Sequence, residues 1–244
     1  MESMKKTALY AGLLYLVVVI CGPFVLIYVP GKLFVPGDAT ATVQNILNHE
    51  LLFRLSIWVG IVSQLCFIGT VLLLYRLLKD VHRELALVMV LLILFDTPSA
   101  FMSMANQVAT LSFVQRNEFL GMFDKPQRDA LAMLFMNVDK QGVFVSEVLW
   151  GLWLFPLGVL VVRSGFLPRF VGMWLFLNGT GYVAMSFTGI VLPAYAETVK
   201  TISFPALFGE VALMVTLIIK GATAKPLIVP NNSEPFMIKK DIQP

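Results

Sequence analysis

The chain has 244 residues, of which 58% are apolar and 14% charged, and its formal net charge is +3. Soluble domains carry roughly 25% charged residues, and a core built from this chain could not hide so much apolar surface, which excludes a soluble enzyme. The basic residues are dispersed between apolar runs, so they act as topology signals and do not form a nucleic-acid surface.

The first apolar run, Thr7–Val29, is longer than the core of a signal peptide and no small-residue cleavage site follows it. It is expected to be a retained first membrane span, bent at Pro23. A turn-rich segment with Pro30-Gly31 and Pro36-Gly37-Asp38 leads to a short amphipathic piece around Val43–Leu52. The second span is Arg54–Leu78, closed by the polar turn Lys79–Arg83. The third run, Glu84–Val114, would measure about 46 Å as one straight helix, against a hydrocarbon core of roughly 30 Å. Pro98 lies in its middle and crowds the Leu94 carbonyl, so a kink or break is expected there, with Asp96 or Thr97 capping the restarted half.

Gln115–Lys140 is the most charged stretch. Pro126 can start a helix in which Leu131, Leu134, Phe135 and Val138 share one face, which predicts a short amphipathic helix in the 115–140 loop lying along the membrane surface. The fourth span is Gln141–Val162, the basic turn Arg163–Arg169 follows, and the fifth span is Phe170–Leu192. Pro193–Ser203 reads as a short polar connection and Phe204–Ile219 as the sixth span, ended by Lys220 and Gly221. The fold class is therefore an all-α, six-span transmembrane bundle occupying residues 1–221. The proline-bearing remainder, residues 222–244, is expected to be a disordered tail. Lys5, Lys6, Arg76, Lys79, Arg83, Arg163, Arg169, Lys220 and the tail lysines gather on one face, so both termini are expected to be cytoplasmic, in the cell membrane.

Catalytic signatures are absent. His49 and His82 flank spans on opposite faces, so they cannot share a metal, and Cys21 and Cys66 read as buried free thiols. There is no G-x-S-x-G, H-E-x-x-H, P-loop or dinucleotide fingerprint, and no cofactor is expected. What stands out is polarity within the spans, which is costly in lipid and marks a site by default. The acids are Asp96, Glu147 and Glu210, and the amides include Gln64 and Asn178. Counting along the spans puts Glu147 and Glu210 at one level about 9–10 Å below the outer face, and Asp96 near mid-depth. With Trp150 on the Glu147 face of span four, these six residues define a candidate binding pocket in the outer half. The bland readings stand beside this one: Asp96 as a local cap, the glutamates as interhelical hydrogen-bonding groups, Gly151, Gly158, Gly172 and Gly179 as packing residues, and the tryptophans as belt or packing residues.

Trp150-Gly-Leu-Trp-Leu-Phe-Pro-Leu-Gly158, then Arg163-Ser-Gly-Phe-Leu-Pro-Arg169 and Gly179-Thr-Gly-Tyr182, resemble the signature of a bacterial membrane family catalogued as domain of unknown function 4386. Leu74-Tyr-Arg-Leu-Leu78 and the Asp96-Thr-Pro98 stretch resemble it too. The resemblance implies a small multi-helix bacterial membrane protein and brings no activity to transfer. Three readings stay open. One is a protein that binds or moves a small apolar or cationic molecule in the outer pocket. Another is a structural or regulatory subunit packing its glycine faces against a membrane-protein partner. The third, which lacks any nucleophile, metal set or cofactor motif, is an intramembrane enzyme using Glu147 and Glu210 as a carboxyl pair.

Overall fold

The computed structural model describes residues 2–115 and 121–223, so the expectation for the tail beyond Thr223 lies outside the described residues. Those residues are helical throughout, without a strand, and six helices are long and apolar enough to cross a membrane. The chain is a multi-pass membrane protein. Below, "outer" means the face away from the N-terminus.

Helix α1 (Glu2–Pro23) passes through a widened turn at Phe24–Tyr28 into α2 (Val29–Leu33), making one span, Met4–Leu33. Pro23 supplies no N–H, and just beyond it the Val29 N–H reaches back five residues to the Phe24 carbonyl, so a π-type turn follows the proline. Helix α3 (Ala39–Asn48) is capped by Asp38, whose carboxylate accepts from the Ala41 N–H at 2.8 Å. It buries Val43 and Ile46 in an outer apolar cluster with Leu111, Val114 and Ala132. The second span is α4 (Glu50–Leu78).

Helix α5 (Arg83–Val114) runs on through Pro98 as one helix, so the kink or break expected there is not a break. The proline costs one backbone hydrogen bond, whereas a break in lipid would strip several more. Nor does Asp96 or Thr97 cap a restarted half. Thr97 Oγ donates back to the Ile93 carbonyl at 2.9 Å, and Asp96 turns to another helix. The separate surface helix expected within 115–140 is likewise absent. Residues 125–140 are the first part of α6 (Lys125–Arg163), a single helix of 39 residues. It starts at a capping box of Asp124 and Gln127 with Pro126 in its first turn. Between Pro126 and Pro156 no proline stops it, and Gly142 costs it only about 1 kcal/mol. Part of its early apolar side packs on α3 and α5, with Phe113 and Phe135 stacked at 5.4 Å, while Leu134 and Val138 stay exposed.

The turn after α6 is built by Ser164. Its hydroxyl donates to the Val161 carbonyl at 2.8 Å and accepts the Leu167 N–H at 3.1 Å, and Gly165 takes the left-handed φ of +61° that the reversal requires. Helix α7 (Arg169–Val191) returns outward along α6. The two approach through glycine: a Cβ on Gly158 would meet the Gly172 carbonyl oxygen at 3.0 Å, and one on Gly179 the Gly151 carbonyl oxygen at 2.8 Å.

The broken span is the sixth. The expected polar connection at 193–203 contains α8 (Ala196–Ser203), which packs against α7; Ser203 Cβ lies 3.3 Å from where a Cβ of Gly181 would stand. A tight 3-10 turn, Phe204–Leu207, then leads into α9 (Phe208–Thr223). Pro205 cannot donate into an α-helical ladder, and the turn forms around it. The segment Pro193–Ala222 is long and apolar enough to cross a membrane, and the 3-10 turn lies inside it. In the main apolar core Trp153 is fully buried, with its ring edge-on to Phe67 at 5.1 Å and to Tyr15 at 6.5 Å.

Candidate functional site

On α5, Asp96, Ser99, Ser103 and Gln107 recur at three- and four-residue spacing and share one face. On α6, Asp139, Ser146 and Trp150 follow one another at seven and four residues, two turns and one, and share a face. The two faces meet as a polar seam. Trp150 Nε1–H donates to Asp96 Oδ2 at 3.0 Å, the Ser99 and Ser146 hydroxyls pair at 3.1 Å, and Gln107 Nε2 donates to Asp139 Oδ2 at 3.0 Å. Ser103 Oγ donates to the other oxygen of Asp139.

A cleft of about 130 Å³ opens along this seam. The outer part of α1 (residues 21–26) forms one wall, and α4, α5 and α6 form the others. Its polar lining comes from α4 (Ser56, Ser63, Gln64), α5 (Ser99, Ser103, Gln107) and α6 (Ser146, Trp150), and Gln64 Nε2 donates to Thr97 Oγ at 3.4 Å. Asp96 stands just behind the lining, 1% exposed, and its Oδ1 has no hydrogen-bond partner within the protein.

A second polar centre forms where the sixth span breaks. Glu210, in the first turn of α9, accepts from Tyr15 Oη at 2.5 Å on one oxygen. On the other it accepts from Tyr182 Oη at 3.0 Å and Asn178 Nδ2 at 3.3 Å. Asn178 Nδ2 also donates, at 3.4 Å, to the Leu207 carbonyl at the start of α9. Three helices are thus tied through one carboxylate, as suits a charged acceptor in lipid. The Tyr182 ring stands edge-on to Trp150 at 5.8 Å, so the two centres touch through aromatic rings.

The six residues expected to form one pocket are therefore divided. Gln64 and Trp150 line the cleft, with Asp96 one hydrogen bond behind Trp150. Asn178 and Glu210 belong to the second centre. Glu147 joins neither by a hydrogen bond; it is 6% exposed, and its Oε2 has no partner. The Gly151–Gly179 contact sets the register of α6 on α7, so Glu147 lies one turn further out than Gly151, while Glu210 is bonded at the level of Asn178. The two glutamates are not level. Lys200, which the broken span carries back beside α7, acts on Glu147 electrostatically.

Sequence reasoning missed Tyr15, Tyr182, Ser99, Ser103, Asp139, Ser146 and Lys200 as site residues. The serines were detectable, because a hydroxyl every three or four residues after Asp96 makes a polar stripe on an otherwise apolar helix. Among the described residues no three His, Cys, Asp or Glu side chains converge as metal ligands, and both cysteines are free.

Known proteins add kinship without an activity. An uncharacterized protein of Archaeoglobus fulgidus is 36% identical over 80 residues, which are 32% of this chain and 44% of that protein. The chain thus matches less than half the length of that relative. No solved structure matches. The sequence profile described as domain of unknown function (DUF4386) matches residues 10–221, nearly the full helical bundle with both polar centres, and the chain belongs to that family.

Proposed function

We propose that this is a cell-membrane protein with both termini in the cytoplasm, and that it binds a small, mainly apolar or cationic molecule in the outer-half cleft between α1, α4, α5 and α6. One observation carries the reading. A span-embedded cleft has one apolar wall and one hydroxyl- and amide-bearing wall, which is the make-up of a small-molecule site. Its volume of about 130 Å³ is close to the roughly 150 Å³ of an apolar cavity that holds benzene. The alternative reading, a subunit that packs glycine faces on a partner, draws less support, because Gly151, Gly158, Gly172 and Gly179 close onto one another inside the bundle. The acid-pair enzyme reading is weakened by Tyr15, Tyr182 and Asn178, which take up both oxygens of Glu210.

The binding test uses the purified protein in lipid nanodiscs. Ring-sized alcohols, amines and hydrocarbons are titrated while tryptophan fluorescence and melting temperature are followed, with empty nanodiscs as control. Saturable quenching, reduced when Trp150 is replaced by Phe, is the expected result. A panel in which no compound saturates refutes the reading. Orientation is tested with Ser164→Cys in a background of Cys21→Ala and Cys66→Ala. An impermeant maleimide should label it in inverted vesicles and not in intact cells; the reverse pattern refutes the assignment.

A further inference from the structure

The charges around the cleft are of one sign. Among the described residues no Lys, Arg or His lines it. Two carboxylates stand behind its polar wall, Asp139 behind Ser103 and Gln107, and Asp96 behind Trp150. The cations on the same stretch of α6 are engaged elsewhere: Lys140 sits 5.7 Å over the Phe34 ring, and Lys125 pairs with Asp129 at 2.6 Å.

The two carboxylates differ in one respect. Both oxygens of Asp139 have donors. Asp96 takes the Trp150 N–H on Oδ2 and has the Ser146 hydroxyl near it, while Oδ1 is buried without a close donor. A buried acceptor without a donor is costly, more so when it carries charge in a span without a counter-ion. Ser146, whose hydroxyl stands near Asp96, lines the cleft and pairs with the Ser99 hydroxyl, which lines it too. A hydroxyl donates and accepts at once, so this pair can accept a ligand's N–H on the cleft side and donate toward Asp96 on the other. The Trp150 indole, fixed by its bond to Asp96, adds an aromatic wall of the kind that attracts cations.

We propose that the molecule taken by this cleft is a protonated amine on an apolar body of about one ring, with Asp96 as its counter-charge and the Ser99–Ser146 pair as its first contact. This rests on the cleft being a binding site and goes further by fixing the charge of what binds. A cleft backed by two carboxylates draws cations and rejects anions of the same shape.

Three isosteric probes test it: benzylammonium, benzyl alcohol and benzoate, titrated against the full chain in nanodiscs of zwitterionic lipid, with empty discs subtracted. Benzylammonium should bind at least about tenfold tighter than benzyl alcohol, and benzoate weakest. Asp96→Asn should bring the ammonium to within about twofold of the alcohol while leaving the alcohol's affinity in place. The ranking on the unaltered protein needs no variant, so the test survives if Asp96→Asn does not fold. Benzyl alcohol binding as tightly as benzylammonium, or a folded Asp96→Asn variant that keeps the preference, overturns the inference and leaves the cleft as a site. Failure of all three probes to saturate overturns both readings.

Discussion

Replacement of Gly151 by Ala puts the α6–α7 contact to a quantitative test. A Cβ there would stand 2.6 Å from the Gly179 carbonyl oxygen, 2.7 Å from Val183 Cγ2 and 3.1 Å from Val183 N. Two of these atoms are backbone and cannot rotate away, so the helices must part by several tenths of an ångström. Overfilling a packed contact costs about 1–3 kcal/mol, and backbone resistance puts this case near the top of that range. Ala regains about 0.8–1 kcal/mol of helix propensity over Gly, leaving a net loss of about 2 kcal/mol. Gly142, on the same helix, is the control, because a Cβ there meets nothing within 4 Å. Gly142→Ala should be stabilising by up to about 1 kcal/mol. The two variants should therefore differ by about 3 kcal/mol in reversible unfolding in mixed detergent micelles. If Gly151→Ala is as stable as the parent, or if both substitutions act alike, the close approach of α6 and α7 is wrong.

Three other outcomes follow from the polar centres. Tyr15→Phe removes one of the three donors to Glu210 and should cost about 1–3 kcal/mol in the same unfolding assay, the cost of leaving a buried acceptor unsatisfied. A variant as stable as the parent would remove the tie between α1 and α9. Asn178→Ala removes the side-chain donor that ties α7 to Leu207 and Glu210, so amide exchange should accelerate in peptides covering 204–210, with little change in α4; unchanged exchange there would contradict the bond. Glu147→Gln and Lys200→Ala should be coupled in a double-mutant cycle by a few tenths of a kcal/mol, since Lys200 is largely exposed, and high salt should erase the coupling. Strict additivity at low salt would show that the two charges do not interact.

The number of spans was legible because bilayer thickness imposes a length on apolar runs, and their inner ends were legible because basic turns mark them, as at Leu78 and at Arg163–Arg169. The outer ends were not, since a helix that packs on α3 and α5 has no reason to stop where the lipid does, and α6 begins at Lys125. Pro98 and Pro205 carry the same local penalty, so sequence alone could not say which would break its span. The distinction lies in tertiary contacts such as the bond from Asn178 on α7 to the Leu207 carbonyl at the start of α9, which no local pattern reveals. The same limit governed the site. Rarity of charge in lipid singled out Asp96, Glu147 and Glu210, but their partners lie on other spans at separations such as the 195 residues between Tyr15 and Glu210. Lys200 was assigned to an outer connection, because nothing local reveals that α8 lies back along α7.

The unbroken run of α6 makes it a lever. Its fulcrum is the Gly151–Gly179 contact, where backbone meets backbone and neither helix can give. From there to Lys125 at the outer tip is about 39 Å, and to Gly142 in the cleft wall about 13 Å, at the usual rise per residue. A tilt that opens the cleft wall by about 0.7 Å therefore swings the tip by about 2 Å, a threefold mechanical gain set by helix length. A spin label or fluorophore near Lys125 would register the cleft's opening from a distance, without a reporter inside it.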